Sequence, residues 1–450
     1  MAGGGLNPAA ERRRAVLVLG GGRLLAAGAG AGALVILAQR VDPATLGIWA
    51  MALAVHAYVL HLGEFGLRSV VTAVGASTRG GPRALVLPYL RVRLAVTAAV
   101  LATLLGGTAL FVPDRWPLLA LTLASLVPIA LQLDWVALVE GRHVRATIPL
   151  VLRPASFAMA IACWPAPLTP LAIATAFLVS WTAAAGAAAL LLGRARPASG
   201  TAPVPPPAAL LRQGRGFLAV TALNQAQLNA DLLLVGLVLG AAEAGVYFVA
   251  SAVVTTAGVF ANGAGQLTLA TARAAGHAPL TRVLLEAGLL GAGLAAGVAL
   301  LAPPLLPLLF GPDFVPAARL LPWLAPCLAL THLTAVLQPR LGATGRQGAV
   351  IAAGLGGVAT LTLALLGAAL WATPVAFALA RAAAETVRVL LLWRAAQKRS
   401  ARTTSTSESQ AMPPISSRSG RSWSSRARAG SSPQMASTIA SLPRSVSGSA

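Results

Sequence analysis

Between Ala15 and Gln397 the chain is a succession of apolar runs separated by short polar breaks, each run close to the ~20 residues that cross a bilayer's hydrocarbon core. Run length, charge interruptions and Pro/Gly punctuation place spans near 16–38, 46–66, 94–112, 117–139, 147–165 and 168–193. Six more fall near 216–239, 244–268, 283–303, 320–339, 347–371 and 373–393. Only 10% of the residues are charged, against roughly 25% in soluble domains, so a water-facing surface cannot be assembled. The expected class is an all-α integral membrane protein of about twelve transmembrane helices.

The formal charge of +22 would suggest nucleic acid if it lined one folded face, but the arginines are scattered through short loops and a tail, and no nucleic-acid partner is expected. Alternate loops differ sharply: one set holds residues such as Arg68, Arg79, Arg83, Arg142, Arg145, Arg282 and Arg346, the other only Arg40, Arg115 and Arg319. By the positive-inside rule the first set and both basic termini face the cytoplasm. Trp49, Trp116, Trp164 and Trp371 fall at the arginine-poor ends of spans, where indoles favour the headgroup boundary.

Several words recur. Phe111-Val-Pro113-Asp114-Arg-Trp-Pro117 returns as Phe310-Gly-Pro312-Asp313-Phe-Val-Pro316, and Gly47-Ile-Trp49 as Gly245-Val-Tyr247. Thr169-Pro170 returns as Thr373-Pro374 and Gly141-Arg142 as Gly345-Arg346. Constant order and offset predict two six-helix lobes, and an even number of spans per half sets their pseudo-twofold axis along the membrane normal. The expected divisions are a cytoplasmic N-terminal segment 1–14, a first lobe 15–193, a Pro/Arg-rich cytoplasmic linker 194–213, a second lobe 214–397, and a Ser/Arg-rich tail 398–450 too polar to bury a core.

Catalytic signatures are missing. The single lysine, Lys398, precludes a Walker A motif, and the five histidines form no HExxH. Gly20-Gly21-Gly22 imitates a dinucleotide fingerprint, but Leu25 takes the third glycine's place, and helix packing explains the glycines better. Cys163 and Cys327, far apart in apolar runs, imply neither disulfide nor zinc. No cofactor, metal or enzymatic activity is expected. A membrane polysaccharide polymerase or glycosyltransferase would need a sizeable external loop for its catalytic acids.

Charges at bilayer depth cost about 2.5 kcal/mol or more and usually face a cavity or a partner. Span 12 carries Arg381, Glu385 and Arg388 at helical spacing, and span 7 carries Asn224, Gln227 and Asp231 on one face. Arg23, Arg381, Arg388, Asn224 and Gln227 are the expected substrate-binding residues of a cavity. Asp231, Glu385 and Asp134 are the expected sites for a coupling proton or sodium ion. Asn262 and Gln266 in span 8 are weaker cavity candidates.

The words Ala38-Gln39-Arg40, Glu64-Phe65-Gly66-Leu67, Asp231-Leu-Leu-Leu-Val-Gly236, Glu243-Ala-Gly245-Val-Tyr247 and Phe310-Gly-Pro-Asp313-Phe resemble those of the O-antigen and exopolysaccharide flippases of the multidrug/oligosaccharidyl-lipid/polysaccharide exporter superfamily, over residues 10–397. The resemblance implies two lobes rocking about a cationic cavity. It implies transfer of an undecaprenyl-pyrophosphate-linked oligosaccharide from the cytoplasmic to the periplasmic leaflet for lipopolysaccharide or exopolysaccharide synthesis, with membrane lipids and the assembly machinery as partners. It matches Asp231 to an acidic position of span 7, while span 1 lacks the acidic residue that several superfamily members use for a cation. A multidrug/cation antiporter of the same superfamily is the alternative.

Overall fold

The computed structural model describes residues 8–111, 113–165, 167–193, 200–274 and 280–397, with side chains from Arg14 onward except at 260–274 and 343. The expected tail and the segment before residue 8 lie outside the described residues, as do 194–199 of the expected linker. Among the described residues every regular element is helical: α1 (Pro8–Ala38), α2 (Pro43–Glu64), α3 (Leu67–Val74), α4 (Val86–Phe111), α5 (Trp116–Ala124), α6 (Leu126–Ala130), α7 (Asp134–Val139), α8 (His143–Cys163) and α9 (Pro170–Leu190) make the first half. The second half is α10 (Pro207–Val238), α11 (Ala241–Ala274), α12 (Leu280–Phe310), α13 (Val315–Ala343), α14 (Gln347–Trp371) and α15 (Pro374–Gln397).

Each expected span has its helix. The fourth is broken into α5, α6 and α7, and the break falls at Ser125 and beside Pro128, whose ring has no N–H to continue the ladder. The short α3 was not anticipated. It follows Phe65 and Gly66, both left-handed at φ 49° and 67°. Among the described residues ten spans are long and apolar enough to cross a membrane by length and composition. The two others, α10 and α15, have 32 and 24 residues, so polarity and not length sets them apart.

The repeated words share local structure. Both Pro-Asp words form a 3-10 turn, Pro113–Arg115 and Pro312–Phe314, leading into α5 and α13. Both Thr-Pro words cap the last helix of their half, Thr169 accepting from Ala172 N at 3.2 Å and Thr373 from Ala376 N at 3.4 Å. Gly141 and Gly345 are left-handed at φ 72° and 73°. The arginine after each reaches the end of its half's last helix: Arg142 donates to Leu192 O at 2.6 Å and Arg346 donates to Ala395 O.

The halves form two lobes of six crossings. Helices α1, α2 and α5 pack with α8 and α9 in one, and α11, α12 and α14 with α13 and α15 in the other. Between lobes α2 packs on α10 and α11, and α1 on α11. At the arginine-poor end main chain of one lobe meets main chain of the other at two glycines. A Cβ on Gly47 would lie 1.7 Å from Ala241 O, and one on Gly245 would lie 2.0 Å from Pro43 O. Position 43 stands to 241 as 47 stands to 245, so the contact is its own image, the signature of a twofold relation. At the arginine-rich end a Cβ on Gly214 would lie 2.3 Å from Phe65 O. Gln39 Nε2 also crosses the seam to Leu309 O at 2.8 Å, while Arg40 crowns the end of α8 by donating to Ile161, Ala162 and Trp164 carbonyls. Asp42, in the same turn, caps α2: Thr45 N donates to Oδ1 at 2.9 Å, and that backbone bond holds the carboxyl below the usual carboxylate range.

Gly47→Ala places a methyl group against a carbonyl and is expected to lower stability by ~1–3 kcal/mol, read as a lower thermal midpoint in detergent. Gly186→Ala, where nothing lies within 4 Å, should leave the midpoint unchanged or raise it.

Candidate functional site

A cavity of about 560 Å³ lies between the lobes, walled by α1, α2, α8 and α9 on one side and by α10 and α11 on the other. Its aromatic wall is Trp49, Phe157, Phe177, Trp181 and Phe248. Trp49 and Phe177 meet edge to face with centroids 5.2 Å apart. Trp49 is thus an inward residue, 2% exposed, and not the headgroup anchor its span-end position suggested. Of the expected interfacial indoles, Trp371 is 78% exposed.

The one charged residue lining this cavity is Arg153, among the described residues. Its guanidinium carbon sits 4.6 Å from the centre of the Trp181 ring, a cation–π contact that leaves its N–H groups free of a carboxylate. His56, His61, Gln225, Asn229, Ser180, Ser251, Thr255 and Thr256 supply neutral polar groups. Among the described residues no Asp or Glu lines it. Sequence reasoning passed over Arg153 and His56, although an arginine six residues into the expected span 147–165 was itself a signal.

The expected site residues of spans 7 and 12 come together, but inside the second lobe. Asp231, fully buried, accepts from Tyr247 Oη at 2.7 Å and from Leu232 N at 2.9 Å, and Arg381 Nη1 donates to its Oδ2 at 3.2 Å. Arg381 also donates to Ser251 Oγ at 2.8 Å. Ser251 lines the interlobe cavity, so this cluster touches the cavity through one hydroxyl.

Two turns further along α15, Arg388 donates to Gln227 Oε1 at 2.6 Å, to Asn224 Oδ1, and to Gln338 Oε1 at 3.2 Å. Glu385 Oε1 stands 3.8 Å from Arg388, and its Oε2 has no hydrogen-bond partner. Glu385 faces a second cavity of about 190 Å³ with Asn224, Thr331, Thr334, Gln338 and Arg388. The Thr334 hydroxyl there is also without a partner. Gly357 makes room for this layer: a Cβ there would lie 1.8 Å from Gln227 Nε2.

None of Arg381, Arg388, Asn224 and Gln227 lines the interlobe cavity. They tie α10, α13 and α15 into one lobe, and Asn224 and Arg388 line the smaller cavity. Arg23 lies on an exposed face of α1, outside both cavities. Asp134 pairs with Arg68 Nη2 at 2.5 Å at the start of α7, also outside both. The side chains of Asn262 and Gln266 lie outside the described residues.

No family model matches the chain, and no curated protein matches it in sequence. Solved structures do match in fold. The lipid II flippase MurJ in an inward closed conformation superposes with a TM-score of 0.65 at 12% identity, over 85% of this chain and 87% of that one. An inward-facing multidrug resistance MATE family transporter of the MOP superfamily gives 0.59 at 14%, over 87% and 96%. A MOP superfamily transporter from Pyrococcus furiosus, described as having a binding pocket of reverse polarity, gives 0.51 at 13%, over 86% and 95%. The chain therefore has the fold of these transporters.

Removing one member of the Asp231–Arg381 pair leaves a buried charge alone, so Arg381→Met is expected to cost about 3–5 kcal/mol. Adding Asp231→Asn should recover a good part of that loss. Thermal unfolding of the two variants in detergent measures both steps.

Proposed function

We propose that the protein is a transporter, a flippase that moves a lipid-linked oligosaccharide on an undecaprenyl diphosphate carrier from the cytoplasmic to the periplasmic leaflet by alternating access. The observation that carries this reading is the interlobe cavity: among the described residues, one guanidinium, an aromatic wall and no carboxylate. A diphosphate is multiply charged and offers oxygens that an arginine fork fits. Tryptophan and phenylalanine faces suit the apolar sides of sugar rings. The prenyl tail stays in hydrocarbon throughout.

A multidrug/cation antiporter is the rival within the same fold, and it would need an acid where this cavity has Arg153. A polymerase or glycosyltransferase is disfavoured by the turns at the arginine-poor end, such as 39–42 and 164–169, which are too short to hold catalytic acids. Nothing in either cavity calls for a cofactor. The lobes, taken as 15–193 and 214–397 about a linker at 194–213, would rock between the glycine contacts at the two ends of α2. The arginine asymmetry supports a bacterial inner-membrane protein with both termini in the cytoplasm, serving lipopolysaccharide or exopolysaccharide assembly alongside its glycan-building machinery.

Ion coupling fits Glu385 better than Asp231. Three donors already hold the Asp231 carboxylate, whereas one Glu385 oxygen has no hydrogen-bond partner, beside a cavity lined with amide and hydroxyl groups. A proton or a sodium ion would bind there at the expense of the Arg388 contact and shift the packing of α15. Asp134, bound to Arg68, takes a structural part.

In proteoliposomes, Arg153→Ala is expected to weaken binding of the lipid diphosphate at least ~10-fold, the worth of one charged hydrogen bond or more, with Arg23→Ala near wild type. Equal binding by Arg153→Ala would sink the assignment. Glu385→Gln should still bind the lipid but lose any acceleration by an imposed proton or sodium gradient, measured as flipping rate with and without that gradient.

A further inference from the structure

The break in the fourth crossing does chemical as well as geometric service. Ser125 sits between α5 and α6, with its Oγ 2.6 Å from Thr122 O and 2.9 Å from His56 Nε2. A carbonyl oxygen only accepts, so the single hydroxyl hydrogen is committed to Thr122, and Oγ is left to accept from His56. Nε2 therefore carries a hydrogen, and in the neutral ring Nδ1 presents its lone pair. Phe177 holds the ring from another side, edge to face with centroids 5.2 Å apart. His56 is 3% exposed and Ser125 fully buried, so neither the ring nor its tautomer is free to turn.

The imidazole lines the interlobe cavity, and no described residue donates to its Nδ1. Among its polar neighbours in that wall, Asn229 donates to Gln225 Oε1 at 2.8 Å, and His61 Nδ1, 3.7 Å from Glu64, makes no hydrogen bond. The cavity thus has two unlike poles. Arg153 offers donors and positive charge, while His56 offers a fixed, neutral acceptor.

We propose that His56 Nδ1 reads the sugar: it accepts a hydrogen bond from a hydroxyl or acetamido N–H of the first saccharide on the lipid diphosphate, and so fixes which way round the head group lies. Diphosphate oxygens carry only lone pairs, which the Nδ1 lone pair repels and Arg153 attracts; saccharide hydroxyls carry hydrogens that Nδ1 can take. The two poles together sort phosphate from sugar. Ser125 is the positioning residue, acting through the tautomer it imposes. The inference rests on the lipid-diphosphate reading of the same cavity.

The test uses the full chain in lipid nanodiscs and two probes, a polyprenyl diphosphate bearing one N-acetylhexosamine and the same lipid diphosphate without sugar. His56→Phe keeps a ring against Phe177 and removes the acceptor. It is expected to weaken the glycosylated probe about fivefold, as one neutral hydrogen bond is worth, and to leave the bare probe unchanged. Loss on both probes alike, or on neither, overturns the proposal. Ser125→Ala keeps the imidazole but releases its tautomer. It should shift the His56 ring 15N resonances away from a pure Nε2–H pattern and lower the sugar preference part-way. Should His56→Phe fail to fold, an unchanged tautomer and an unchanged preference in Ser125→Ala overturn the proposal by themselves. Wild-type protein that binds neither probe, or Arg153→Ala that binds the bare probe normally, instead overturns the lipid-diphosphate reading beneath it.

Discussion

A charge at bilayer depth has no water to turn to, and this requirement arranges the rest of the molecule. Asp231, Arg381, Glu385 and Arg388 are each less than a tenth exposed because the alternative is hydrocarbon, at a cost of about 2.5–3.5 kcal/mol apiece by insertion scales. Their helices, α10 and α15, are therefore held against neighbours and not against lipid. The apolar helices take the perimeter: Leu300, Leu363 and Leu370 are 74%, 72% and 87% exposed, which in water would invite aggregation and in a bilayer matches the acyl chains. Small residues complete the packing, as where Gly357 admits Gln227 to the α14 surface.

Much of the fold was legible because it follows from run length and repetition. Each expected span has its helix, and the Pro-Asp, Thr-Pro and Gly-Arg words fold alike in both halves because turn and cap chemistry is local. The partners of the charges were not legible in the same way. Helical spacing put Arg381, Glu385 and Arg388 on one face, but which helix that face meets is a tertiary fact, and the second lobe closed over it. Arg153 is the single charge in its expected span, so no helical spacing paired it with a second polar residue. Trp49 shows the limit of a statistical rule: a tryptophan at a span end can equally turn inward.

The halves share a plan and divide the chemistry. Arg153 and His56 both come from the first lobe, while the pocket beside the unpartnered carboxylate oxygen of Glu385 belongs wholly to the second. Ser251 connects them, lining the cavity while accepting from Arg381. The fourth crossing is broken at Ser125, while its counterpart α13 runs continuously from Val315 to Ala343. The break serves a histidine that the second half does not have at the matching place.

The seam at Gly47 and Gly245 carries a dynamic consequence. Surfaces that interlock through branched side chains must re-sort rotamers every time they part and rejoin, and each re-sorting is a barrier. Two bare main chains have nothing to re-sort, so lobes that parted at this contact would have dispersion forces and the single Gln39–Leu309 hydrogen bond to overcome. A hinge of that kind favours frequent, low-friction excursions over a firmly bolted door.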